Sequence, residues 1–270
     1  MRIAVLIKQV PAVDTVKINE TTGTMEREGV ESELNPMDLH ALEAAIRLRE
    51  KDANVRITAL TMGPPQARKV LADAVAMGCD DAALFSDRKF AGADTLATAQ
   101  VLAAGLKKLG KFDLIFSGER ATDGETGQVA PAVAELLGFP ALTFVSGVEE
   151  IHEGGVTVER ATEGGHETLK SPLPAVFSVI KEINRPRLTT LSGKLRAKGV
   201  EIPTYDASSL ELPEDKIGLK GSPTRVSKVM YPKVTRSGEK YFFANDAGGT
   251  MDVLKRFLVD KNFVSEEAAR

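Results

Sequence analysis

Residues 114–129 read LIFSGERATDGETGQV. Leu114, Ile115 and Phe116 close a short apolar run, the pattern of a parallel strand buried on both faces. Ser117 to Glu125 is polar and rich in small residues, and Thr126 to Val129 lead into an apolar-periodic segment that Gly138 ends. Strand, polar loop, helix start is a geometry that turns backbone N–H groups and the positive helix end toward a phosphate or ribose. Ligands of open α/β sheets sit at the carboxyl ends of the strands, where such a loop lies.

Upstream, the same grammar repeats. Ile3 to Ile7 is a continuous apolar run, Val55 to Met62 a second, Asp81 to Ser86 a third, Phe112 to Phe116 a fourth and Pro140 to Val145 a fifth. Helical spacing lies between them: Pro36 to about Lys51, entered through Asn35 as N-cap with Pro at the first position; Gln66 to Met77, closed by Gly78; and Asp94-Thr95 to Leu109. Strands alternating with helices predict an α/β fold, a mostly parallel nucleotide-binding sheet with helices on both faces. Val16 to Asn19 and Met25 to Glu28 flank Glu20-Thr21-Thr22-Gly23 and read as a hairpin excursion.

Past Val145 the pattern changes. Val148 to Ile151, Val156 to Arg160, His166 to Leu169 and Ala175 to Val179 are short strands set off by Gly154-Gly155 and Gly164-Gly165, which predicts an antiparallel hairpin addition. After Pro203 the chain is broken by Pro213, Gly218, Gly221-Ser222-Pro223 and Pro232, and periodicity returns only at Met251 to Val259. The expected organisation is an α/β nucleotide-binding domain over 1–203, carrying an exposed loop at 184–199, and an extended C-terminal arm over 204–270 that needs a partner's surface.

Composition narrows the function. The net charge of −3 argues against a general nucleic-acid binder. The opening MRIAVLIKQV is too short to span a membrane, so no membrane insertion is expected. Cys79 is the single cysteine, which excludes an internal disulfide and suits a reducing, cytoplasmic setting. His40, His152 and His166 have no metal-site spacing, and no Ser or Asp is placed to make a hydrolytic triad with them, so neither a metal nor a catalytic residue is assigned. No GxxxxGK[ST] and no GxGxxG occurs.

The loop is either a plain βα connection or a ligand site, and as a site it offers nucleotide binding by amides and hydroxyls. Thr122, Thr126 and Gln128 can donate to phosphate, and Gly127 permits close backbone approach. Asp123 and Glu125 would repel phosphate, so capping N–H groups or holding ribose hydroxyls suits them better. Asn35-Pro36-Met37-Asp38, Asp94-Thr95 and Thr61 to Pro65 read first as helix caps and a turn, yet parallel topology brings all these strand-end loops to one rim. Further on, Arg185, Arg187, Lys194, Arg196 and Lys198 interleave with Leu188, Leu191 and Leu195. That cluster is either a solvated basic face or an apolar anchor in a basic rim, the anatomy of a docking patch.

Taken together, IAVLIKQVPAV, the NPMD helix cap, ALTMGPP, ATDGETGQVAP and INRPRLTTLSGKLRAKGVEIP resemble the β subunit of electron transfer flavoprotein, in order and over nearly the whole chain. The resemblance implies a heterodimer with a larger α subunit that holds an FAD, exchanging electrons with acyl-CoA dehydrogenases or similar flavoenzymes. It implies an adenine nucleotide in this subunit too: AMP in simple carriers, or a second FAD in members that bifurcate electrons from NADH, which adds NAD to the cofactors of the complex. By matched motif, Leu6, Asn35, Pro36, Met37, Asp38 and Met62 would line the nucleotide, with Ala121, Thr122, Asp123, Gly124, Glu125, Thr126, Gly127, Gln128 and Val129 around its phosphates. The TMGPP turn and SDRKFAGADTLATAQ are similar to the bifurcating bacterial group, where Asp94, Thr95 and Thr98 would flank the second flavin; Gly127 and Ala130 depart from that group's commoner Ala and Gly. Leu191 matches the docking leucine, with Arg187, Lys194, Arg196 and Lys198 beside it. Two other classes fit the layout, a non-redox nucleotide-binding sensor and a ligand-free structural subunit.

Overall fold

The apolar runs pair as neighbours in one sheet. The computed structural model describes residues 1–12, 17–18, 25–26, 31–227 and 240–265. In chain order its elements are β1 (Arg2–Leu6), β2 (Gln9–Pro11), β3 (Lys17–Ile18), β4 (Met25–Glu26), β5 (Ser32–Leu34), α1 (Pro36–Lys51), β6 (Arg56–Met62), α2 (Arg68–Met77), β7 (Asp81–Phe85), α3 (Thr95–Leu109), β8 (Leu114–Gly118), α4 (Val129–Leu137), β9 (Ala141–His152), β10 (Gly155–Thr162), β11 (Gly165–Pro172), β12 (Ala175–Val179), α5 (Leu191–Gly199), β13 (Thr204–Tyr205) and α6 (Ala247–Asp260). The main sheet has nine strands in the order β11-β10-β9-β12-β8-β1-β6-β7-β13. Two small antiparallel ladders, β2 with β5 and β3 with β4, stand apart from it. The second is the expected hairpin; its turn, Glu20 to Gly23, lies outside the described residues.

Alternation along each strand builds a layer on either face. Ile3 and Val5 of β1 join one buried cluster with α1 and α2, through Leu42, Ile46, Val70 and Leu71. Ala4 and Leu6 join the other with α3 and α4, through Val101, Leu102, Leu106 and Val133. Phe116 of β8 and Phe177 of β12 meet edge to face in the first layer, ring centroids 5.0 Å apart at 84°. From β1 the chain steps to β6 and β7 on one side, then α3 carries it back to β8 on the other side of β1. The reversal makes the gap between the carboxyl ends of β1 and β8 the topological switch point.

The structure corrects the expectation at the hairpin addition. β12 was expected to be antiparallel; it is parallel, inserted between β8 and β9. Its five residues are all buried, as a strand covered on both faces must be. The strands expected at Pro140 to Val145 and Val148 to Ile151 are one long β9, parallel to β12 at its start and antiparallel to β10 along its length. A bulge marks the change. Leu142 pairs with Phe177 and Val145 with Val179, so two residues oppose Ser178. Leu142 and Val145 therefore face the same core layer, while Phe144 swings out, 53% exposed, with φ +56°. For a residue with a Cβ, that backbone costs about 1–2 kcal/mol.

The chain divides into two compact units, 1–229 and 230–270. The first stretch of the expected arm is integral to the first unit. β13 pairs with β7 at the sheet edge, and Ala207, Leu210 and Ile217 are buried in the layer under α3. The described part of the second unit is built on α6, whose first turn is capped by Asp246 accepting from the Gly249 N–H at 2.9 Å. It exposes Phe242, Phe243, Met251, Leu254 and Phe257. Among the described residues no helix is long and apolar enough to cross a membrane.

Candidate functional site

The switch point is spanned by a carboxylate. Asp38, in the first turn of α1, accepts from the Lys8 amide (2.8 Å) just past β1 and from the Gly118 amide (3.0 Å) at the end of β8. Gly118 must be glycine here, because a Cβ would stand 2.6 Å from the Asp38 Oδ1 and 2.7 Å from Met37. Burial raises the Asp38 carboxyl to about 7, against the lowering pull of hydrogen bonds from Asn35, Lys8 and Gly118 and of the Lys8 charge.

Asn35 precedes α1 with Pro36 at the first helical position, as the sequence predicts, but its side chain makes no cap hydrogen bond. It reaches across to the 119–128 loop instead. Its Nδ2 donates to the Arg120 carbonyl (3.0 Å) and its Oδ1 accepts from the Thr122 amide (3.2 Å). The other end of the loop start is held by the Glu119 amide on the Val179 carbonyl (2.9 Å). Lys8 closes the frame with an ion pair to Asp123 at 2.6 Å, so this carboxylate is neutralised locally.

Beyond that frame the loop turns outward. The Glu125 amide bonds the Ala121 carbonyl (2.8 Å), and Glu125 and Gly127 both take left-handed backbone, at φ +52° and +63°. Among the described residues the amides of Thr126, Gly127 and Gln128 have no acceptor. The side chains of Thr126 and Gln128 are exposed, and Gln128 makes no side-chain cap of α4. Free N–H groups around a left-handed residue at a helix N-terminus form a concave donor set that an anion can satisfy.

The remaining motif residues fall on the same rim. Leu6 and Met62 end β1 and β6. α3 and α4 pack side by side, so their N-termini share one face of the sheet. Asp94 caps α3 by accepting from the Leu96 and Ala97 amides (both 3.0 Å), and its second oxygen accepts from the Thr224 amide (3.0 Å) and hydroxyl (2.8 Å). Burial works against ionisation there, and those hydrogen bonds outweigh it and hold the carboxyl below its ordinary range. Thr95 and Thr98 lie in the first turn of α3, half-buried. Pro36 and Met37 begin α1, also half-buried.

The 184–199 loop is a separate feature. Leu188, Leu191 and Leu195 are 90%, 77% and 60% exposed, with Lys194 and Lys198 exposed beside them. Two of the five basic residues are tied to the helices beneath the loop. Arg187 pairs with Glu43 and Glu50 of α1, both at 2.7 Å, and Arg196 donates to the Val75 carbonyl of α2. Glu43 was not singled out in the sequence, where it is one more charge on a helix; the signal is that its position falls on the apolar face. Cys79 is fully buried and its thiol is pushed up to about 12 by desolvation.

Comparison with known proteins places the chain in a family. Residues 22–210 match the electron transfer flavoprotein domain. The chain is 43% identical over 244 residues to the electron transfer flavoprotein subunit beta of Megasphaera elsdenii, covering 88% of this chain and 90% of that one. It is 42% identical over 261 residues to the caffeyl-CoA reductase-Etf complex subunit CarD of Acetobacterium woodii, covering 97% of each. It is 41% identical over 240 residues to the protein FixA of Azotobacter vinelandii, covering 86% of this chain and 85% of that one. The chain thus belongs to the electron transfer flavoprotein family, on its β-subunit side.

Proposed function

We propose that this chain is the nucleotide-carrying β subunit of an electron-transferring heterodimer and holds FAD at the switch-point rim. Its α partner carries a second FAD, and the complex exchanges electrons with an acyl-CoA dehydrogenase or a similar flavoenzyme. The reading extends to bifurcation of electrons from NADH. Similarity to a subunit of a caffeyl-CoA reductase complex speaks for a flavoenzyme that handles CoA thioesters, and the TMGPP and ADTLAT motifs speak for FAD rather than AMP.

The observation that carries the nucleotide assignment is the set of unpaired amides at Thr126, Gly127 and Gln128. They suit a phosphate, and the Lys8–Asp123 pair removes the nearest opposing charge. Asn35 and Asp38 hold the loop and the two strand ends in place around it. Bound FAD supplies the redox chemistry; the chain supplies position and electrostatics and needs no acid or base of its own.

The test is the nucleotide content of the purified αβ complex, denatured and resolved by chromatography. Two FAD per heterodimer is the expected result. One FAD with one AMP leaves a simple carrier in which this subunit's nucleotide is structural. One FAD and no second nucleotide, even after incubation with FAD or AMP, overturns the assignment of the loop. Thermal melts add a second check: saturating nucleotide stabilises the complex by about 2.7 kcal/mol at a hundredfold excess over Kd, and Gln128→Ala reduces that gain.

A further inference from the structure

Helix α1 presents one row of residues, His40, Glu43, Arg47 and Glu50, to the start of the 184–199 loop. The His40 carbonyl accepts from Asn184 Nδ2 at 2.9 Å. Arg47 Nη2 donates to the Arg185 carbonyl at 3.4 Å. Glu43 is the centre of the row and only 2% exposed. Its two oxygens accept from Arg187 Nε (2.7 Å), Arg187 Nη2 (3.1 Å), the Arg187 amide (3.2 Å) and Arg47 Nε (2.8 Å). Arg187 Nη1 extends the pair to Glu50.

The far side of the loop is seated on α2. Thr190 caps α5 by accepting from the Gly193 amide at 3.0 Å. Gly193 lies so close to α2 that a Cβ would stand 2.1 Å from the Ala76 carbonyl. Arg196 bonds the carbonyl of Val75. The segment is thus fixed at 184–187 and again at 193–196, and Leu188 and Leu191 are carried between the two fixings, facing out.

An ion pair whose carboxylate is buried is a poor source of stability, since desolvation cancels much of its attraction. What a carboxylate and a planar guanidinium do well is set direction, because the fork of donors admits few geometries. We infer that Glu43 and Arg187 are positioning residues for partner docking: they touch no partner atom and act by holding Leu188 and Leu191 in the orientation that a flavoenzyme partner receives. This rests on the reading of Leu191 as the docking anchor.

The experiment uses the intact αβ complex and a purified acyl-CoA dehydrogenase from the same source organism, with KM for the flavoprotein and kcat measured separately. Leu191→Ala is expected to raise KM about tenfold or more. Glu43→Gln and Arg187→Lys are each expected to raise it roughly threefold to tenfold, with kcat and nucleotide content unchanged. Combined with Leu191→Ala, Glu43→Gln is expected to add little, because it works through the leucines. If Leu191→Ala raises KM and neither clamp variant does, the inference is wrong while the docking reading stands. If Glu43→Gln multiplies the Leu191→Ala effect in full, Glu43 acts on the partner directly and the inference is again wrong. If Leu191→Ala itself leaves KM unchanged, the docking reading fails. Should Glu43→Gln not fold, Arg187→Lys, at the more exposed end of the pair, decides the matter.

Discussion

At the scale of single residues, Asp38 sets a pH dependence of stability. Its carboxyl moves from 3.8 to about 7 on folding. The folded chain therefore keeps a proton that the unfolded chain releases over that window, and this group's contribution to stability falls as pH rises through it. Urea unfolding of the nucleotide-free protein from about pH 4 to about pH 8 is expected to show a decline on the order of 1–4 kcal/mol from this source. Asp38→Asn is expected to flatten that decline while lowering stability at acid pH, since the amide offers one acceptor to two N–H donors. Glu43 has the opposite sign. Burial alone would raise its carboxyl, but hydrogen bonds from Arg187 and Arg47 outweigh it and hold it below 4.5, so its stabilisation is present above that value and lost in acid. Thr61 is a third case: its hydroxyl is buried with no hydrogen-bond partner among the described residues. Thr61→Val is expected to be neutral or to stabilise by up to about 1 kcal/mol in the same urea assay. None of this behaviour was visible in the sequence, where Asp38 reads as a cap-proximal acid and Glu43 is a helix charge whose only signal is its place on the apolar face. Their behaviour comes from burial against residues about 80 and 144 positions away.

Among the elements, the strand-and-helix rhythm of the first 137 residues was legible because both faces of a parallel sheet are buried, which leaves continuous apolar runs in the sequence. β12 was misread because AVFSV follows two Gly-Gly hairpin turns and carries no mark of its own direction; its parallel pairing is imposed by the open side of β8. The bulge in β9 was hidden for a related reason. ALTFVS alternates well enough to suggest Phe144 inside and Val145 outside, the reverse of what is found. Because Phe144 is both exposed and left-handed, Phe144→Gly is expected to stabilise the chain by about 1 kcal/mol, measured by urea unfolding. A loss of stability of that size would mean that the ring is packed in solution. The 119–128 segment was readable as a loop between a strand and a helix. The two-sided hold of Asn35 was not, since NP reads first as a helix start.

For the whole molecule, the useful division is between what completes the core and what lies outside it. Ala207, Leu210 and Ile217 fill the layer beneath α3. Truncation after Pro203 is therefore expected to cost roughly 3–6 kcal/mol for the lost burial and to leave an insoluble or partly folded product. Truncation after Val229 is expected to keep a cooperative melt, because the first compact unit ends there. Circular dichroism melts of the two fragments separate these outcomes. Composition had announced an extended arm through its Pro and Gly content, but the three aliphatic residues that anchor its first stretch are too sparse to show periodicity. The fully buried Cys79 has a consequence for anyone working with this chain. Buried and with its thiol pushed up to about 12, it is expected to resist maleimide and iodoacetamide in the folded protein. A single cysteine introduced at exposed Ser192 would then be the one reactive thiol among the residues described, a ready attachment point for a fluorophore or spin label on the 184–199 segment.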